Sequence, residues 1–180
     1  MTRITRRALV TAGATLAAAL PLRKPRAQGL QGIGALQPLH EPKKLDLQFT
    51  TADGTVRKLS DYAGKAVVLN LWATWCVPCV REMPSLDDLA KIVEGDGVVV
   101  LAVSSDRGGA AAVQRFYAER GIKNLPVLLD PRNELARAIN VHGIPTTLLI
   151  DRAGNEVAVL EGAADWSSPD TVTVIRKLGG

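Results

Sequence analysis

Apolar residues along this chain fall in short runs and alternations, punctuated by Gly, Asp, Asn and Pro. Three runs with almost no polar interruption, at 67–72, 98–103 and 125–129, have the length and β-branched content of buried strands. At 45–51 the pattern alternates instead, with Leu45, Leu47 and Phe49 set against Asp46, Gln48 and Thr50, as in a strand wetted on one face. Asp53-Gly54 is a turn signal, so 55–59 is predicted to return as the second strand of a hairpin, followed by a short turn that Ser60 could cap. Beyond Trp75 the spacing becomes helical, and Cys79, Met83, Leu86, Leu89 and Ala90 can share one face. Pro84 is expected to break or kink this helix, with Ser85 restarting it towards Glu94.

The second half repeats the alternation of strand and helix. A helix is predicted over 110–120, with Val113, Phe116 and Tyr117 inward and Gly121 just past its end. Asp130-Pro131 has the form of a cap and first turn for a third helix, carrying Leu135, Ala136, Ala138 and Ile139. Strands at 146–150 and 156–160 flank the turn Ala153-Gly154-Asn155, and Ser168-Pro169 opens a last helix to about Leu178. The sum is an α/β domain over 45–180, a mixed central sheet flanked by helices on both faces. Residues 28–44 mix Gly, Pro, Gln and Lys without period and read as a linker. Gly32 and Gly34 in it do not open a phosphate loop, since no strand precedes them, and His40 reads as solvated.

The first 27 residues differ from the rest. They hold six basic residues (Arg3, Arg6, Arg7, Arg23, Lys24, Arg26) and no acid, around an uncharged stretch at 8–22. That stretch is shorter than the ~20 apolar residues of a membrane span and fits a secretory signal. Thr5-Arg6-Arg7-Ala8-Leu9-Val10 is similar to a twin-arginine export signal, with Pro25-Arg26-Ala27 a loose cleavage site; an uncleaved signal would act as an anchor. An extracytoplasmic, periplasmic location follows. The net charge of +4 belongs to this segment: without its six basic residues, 16 remain against 18 acidic ones, a net of −2. The charge balance therefore gives no reason to expect nucleic acid as a partner.

The two cysteines of the chain, Cys76 and Cys79, stand where the central strand passes into a helix. Free backbone N–H groups and the positive end of the helix dipole favour a thiolate there, and thiolate is the nucleophile of disulfide exchange. A bridge over two residues closes too small a loop to staple a fold. These positions suit redox chemistry better than structural cross-linking.

Asn70-Leu71-Trp72-Ala73-Thr74-Trp75-Cys76-Val77-Pro78-Cys79, followed by Glu82 and Pro84, and then Gly143-Ile144-Pro145-Thr146-Thr147-Leu148-Leu149-Ile150-Asp151, resemble the TlpA/ResA-like thioredoxins, exported thiol–disulfide oxidoreductases of bacteria. The resemblance covers about 45–178. It implies a thioredoxin-like fold with an N-terminal β-hairpin and an inserted strand–helix unit. It further implies Cys76 as attacking nucleophile, Cys79 as resolving thiol, Glu82 as proton relay and Pro145 as a cis-proline. Trp75, Val77, Pro78 and Ile144 would face the substrate or tune the cysteines, and no cofactor or metal is called for. The partners implied are exported, disulfide-containing clients, such as apo-cytochromes c or copper-site proteins of cytochrome oxidase, and a membrane thiol carrier that re-reduces the pair.

Two positions depart from plain thioredoxins or from the motif. Asn70 replaces an aspartate and cannot ionise, which moves the proton-relay burden to Glu82. Glu82 read without the motif is a solvated helix acid. His142 belongs to no motif; with Cys76 and Cys79 it supplies soft and borderline ligands, so a thioredoxin-fold copper carrier is the alternative from another class. A structural zinc site is poorly served by one Cys-x-x-Cys and two distant histidines.

Overall fold

The computed structural model describes residues 32–180; the proposed signal at 1–27 lies outside the described residues. Eight strands form one mixed sheet: β1 (Gln37–Lys44), β2 (Gln48–Thr51), β3 (Val56–Lys58), β4 (Ala66–Trp72), β5 (Val98–Ser104), β6 (Leu128–Leu129), β7 (Thr146–Ile150) and β8 (Asn155–Glu161). Their spatial order is β1-β8-β7-β4-β5-β6-β2-β3. Four helices, α1 (Val77–Ile92), α2 (Gly109–Arg120), α3 (Glu134–Ala138) and α4 (Pro169–Gly179), connect or close them.

β4 lies near the middle because it is apolar on both faces. Burying one Val or Leu side chain contributes roughly 1.5–3 kcal/mol, so such a strand gains most where both faces are covered. All seven of its residues are buried. It pairs parallel to β5 through α1 and antiparallel to β7. Its even positions, Ala66, Val68 and Trp72, pack with α1, α2 and α4. The odd positions Val67, Leu69 and Leu71 pack on the other side with Leu45, Leu47 and Phe49 of the hairpin segment and Leu135 of α3. The alternation read at 45–51 thus points its apolar residues into the second core, and the β2–β3 hairpin forms in the expected place.

Several local expectations hold in detail. Gly121 ends α2 in the left-handed region at φ 69°, with the Ile122 N–H returning to the Tyr117 carbonyl. Ser168 caps α4, its hydroxyl accepting the Thr171 N–H at 3.3 Å, with Pro169 in the first turn.

Four others are corrected. Residues 37–44, read as linker, form the edge strand β1, paired antiparallel to β8. The strand is almost wholly exposed, so its side chains carry no apolar alternation to read; its backbone pairing alone makes it a strand. Pro84 does not interrupt α1, which runs through it in one piece. Proline supplies no N–H to the helix ladder, and tertiary packing of Met83, Leu86 and Leu89 outweighs that loss. Asp130 does cap α3, but from a distance: its carboxylate accepts the N–H groups of Glu134 at 2.8 Å and Leu135 at 2.9 Å, so the helix begins three residues later than Pro131. The short turn Leu59–Tyr62 is capped by Asp61, which accepts the Lys58 N–H, and not by Ser60.

Candidate redox site

Cys76 is the N-cap of α1 because β4 ends at Trp72 and the chain must turn before the helical spacing starts. That turn is held from outside. The buried carboxylate of Asp106, in the loop after β5, accepts the Thr74 N–H at 2.8 Å, the Thr74 hydroxyl at 2.6 Å and the Ser104 hydroxyl at 2.7 Å. A charged acceptor in three hydrogen bonds is a strong tether, and it fixes the residue two before the first cysteine.

The cysteines form a disulfide with sulfurs 2.08 Å apart. Cys79 is wholly buried and Cys76 keeps 6% exposure. The Cys79 N–H donates to Cys76 Sγ at 3.3 Å, one of the helix's free donors turned to the sulfur that would carry charge after reduction. Around this edge the surface is apolar: Trp75 and Val77 are two-thirds exposed or more, and Pro78 occupies the first turn, half-buried. Facing them is the loop before β7, in which the Ile144–Pro145 peptide bond is cis. The Ile144 carbonyl oxygen lies 3.6 Å from Cys76 Sγ, and Pro145 is buried behind it. The structure therefore brings Trp75, Cys76, Val77, Pro78, Cys79, Ile144 and Pro145 to one place, although two parts of the chain some seventy residues apart supply them.

Glu82 sits one turn below Cys79 and is fully buried, which removes the reading as a solvated helix acid. Its Oε1 accepts from Asn70 Nδ2 at 2.9 Å; its Oε2 accepts the Ala164 N–H at 2.9 Å and the Trp166 indole N–H at 3.0 Å. Burial pushes the Glu82 carboxyl up from 4.5 to about 7, against the opposing pull of these three donors. A carboxyl with that balance exchanges a proton near neutral pH, and at i,i+3 it faces the same way as Cys79. Asn70 also donates to the Thr147 hydroxyl at 2.9 Å, so the amide bridges β7 to the carboxylate.

Ala164, Trp166 and Asp106 were not found from the sequence. Their only signal there was an aromatic residue within a polar stretch, and an aspartate in a loop. His142 is exposed, its Nε2 3.3 Å from Asn140 Nδ2. Among the described residues no three His, Cys, Asp or Glu side chains are grouped to hold a metal ion. No described helix is long and apolar enough to cross a membrane.

Fold and site together define a thioredoxin-like domain with a cysteine pair at the start of its first helix. The comparisons agree on the fold. A secreted thiol-disulfide isomerase from Corynebacterium glutamicum superimposes with TM-score 0.68 at 23% identity, covering 93% of this chain and 99% of that one. The pneumococcal exposed lipoprotein thioredoxin from Streptococcus pneumoniae strain TIGR4 does so with TM-score 0.61 at 35% identity, covering 74% and 98%. The chain belongs to the Redoxin family, which it matches over residues 39–175. Among curated proteins it is 40% identical over 117 residues to the thiol-disulfide oxidoreductase ResA of Geobacillus kaustophilus, covering 65% of this chain and 66% of that protein. It is 39% identical over 105 residues to ResA of Bacillus subtilis, covering 58% of each. The chain thus spans 66% and 58% of the length of these two curated relatives.

Proposed function

We propose that this protein is an exported thiol–disulfide oxidoreductase that reduces disulfides of specific clients. The observation that carries this reading is the Cys76–Cys79 disulfide at the N-cap of α1, with the buried, near-neutral Glu82 one turn below it. The relatives named thiol-disulfide oxidoreductase support it.

In the reduced protein the Cys76 thiolate attacks one sulfur of a client disulfide, and the other client sulfur leaves as a thiolate. Trp75, Val77 and Ile144 hold the client chain across the sulfurs, the Ile144 carbonyl being available to a client N–H. Cys79 then passes its proton to the Glu82 carboxylate and attacks Cys76 Sγ in the mixed disulfide. The second client thiolate departs, two electrons have moved to the client, and Cys76–Cys79 is the disulfide found in this structure. A membrane thiol carrier restores the dithiol. Clients in cytochrome c maturation or cytochrome oxidase copper-site assembly fit the family resemblance, and the basic, apolar segment at 1–27 fits export.

The test is the reduction potential of the purified domain. A value near about −270 mV, as in thioredoxin, supports a reductant; a value near the −120 mV or so of a strong periplasmic oxidant overturns the direction assigned.

A further inference from the structure

The segment between β8 and α4 clasps the middle of α1. The Ser85 hydroxyl donates to the Glu82 carbonyl at 2.8 Å and accepts the Trp166 backbone N–H at 3.1 Å. Its oxygen is also 3.4 Å from the Ala164 carbonyl oxygen. This clasp brings two N–H groups, from Ala164 and from the Trp166 indole, to the same oxygen of Glu82. Trp166 is a large side chain with no exposure, and its one polar atom is spent on that carboxylate. Burying an indole with its N–H aimed at a carboxyl is an arrangement made for the ionised form, because an acceptor with negative charge gains most from such a donor.

We propose that Trp166 is a positioning residue of the redox site: its indole N–H holds Glu82 in place and sets the proton affinity with which that carboxylate takes the proton of Cys79. The proposal rests on the thiol–disulfide reading above, which it deepens. It assigns a role to a residue 84 positions from Glu82, outside both sequence motifs.

The surroundings leave this control to few groups. From β4, Asn70 donates to the other carboxyl oxygen and is neutral. β7 contributes Thr147, also neutral, which meets Asn70. On α1 itself the titratable neighbour is Cys79, one turn back and in the disulfide here. Asp165, between the two donors, turns its carboxylate to the Ser167 N–H and hydroxyl. Among the described residues, burial raises the proton affinity of Glu82 and the three donors lower it.

The sign follows. Removing the indole donor takes stabilisation from the ionised form, so Glu82 holds its proton to higher pH. In Trp166→Phe the midpoint for Glu82 should move up by about one unit. At pH 7 the ionised fraction then falls about fivefold, and client reduction with it, while at pH 9 the rate returns to that of the wild type. The Glu82 midpoint can be read directly by carboxyl carbon-13 NMR in the oxidised protein, with no turnover, so it stands even if the oxidoreductase reading fails. Should Trp166→Phe fold poorly, benzothienylalanine placed at 166 keeps the bicyclic shape and replaces the N–H by sulfur. An upward midpoint shift in either protein, absent from the rate profile once Glu82→Gln is added, supports the assignment. An unchanged midpoint, or a rate loss equal at pH 7 and pH 9, overturns it.

Discussion

The backbone N–H of Cys79 points at Cys76 Sγ, 3.3 Å away, so the second cysteine of the pair serves the first as a hydrogen-bond donor before it ever acts as a thiol. The relation is one-sided, since Cys79 itself is buried with no exposure. In the dithiol, the same N–H and the start of a 16-residue helix should favour a thiolate on Cys76. We expect iodoacetamide near neutral pH to alkylate Cys76 of the reduced protein first, as located by peptide mass spectrometry. Preferential labelling of Cys79 would invert the two roles.

A second expectation concerns trapping. Cys79→Ser leaves Cys76 able to attack a client but removes the thiol that releases it. Mixed disulfides should accumulate, visible as adducts on non-reducing gels that vanish with reductant, and the adducts identify the clients. Equal trapping by Cys76→Ser would show that Cys76 is not the attacking sulfur.

Glu82→Gln should slow client reduction and change the titration of the thiols, and it should also alter the pH dependence of stability. The native carboxyl holds its proton up to about pH 7, the unfolded one only to 4.5. A raised pKa contributes stability that is fully present below 4.5 and is lost as pH rises through 7, roughly 3 kcal/mol between those limits. The amide fits the site: its oxygen can face Ala164 and Trp166, while Asn70, whose Oδ1 has no partner among the described residues, can turn to accept from its NH2. Urea denaturation at pH 5 and pH 8 should therefore show the variant losing less stability with rising pH than the wild type. Identical pH dependence in the two proteins would place the buried charge elsewhere.

Asp106→Ala removes the acceptor of three donors around Thr74 and Ser104. Leaving such donors without a partner costs on the order of 1–3 kcal/mol, and more where the acceptor was charged. The denaturation midpoint should drop accordingly. Client reduction should slow as well, because the turn that presents Cys76 is no longer tethered. A variant with wild-type kinetics would reduce Asp106 to a purely structural brace.

Much of this molecule is short-range, and that part was legible in the residues themselves. The strand of 67–72 running into Cys76, the hairpin at Asp53-Gly54, the helix end at Gly121 and the cap at Ser168 each depend on neighbours within a few positions. So does the closeness of Glu82 to Cys79, which helical spacing alone requires. What tertiary structure decided is everything that depends on partners far along the chain. Residues 37–44 became a strand because β8 offered an edge, not through any pattern of their own. Pro84 stayed inside α1 because the core packed on both sides of it. Above all, the sequence could place a carboxyl beside the cysteines but not say whether water reached it. That was settled when the chain carrying Asn70, Ala164 and Trp166, 12 to 84 residues away, closed over Glu82: burial raised its pKa to about 7, and the three donors opposed the rise. Proton affinity is set by burial and by donors in space, and neither quantity is carried by the local order of residues.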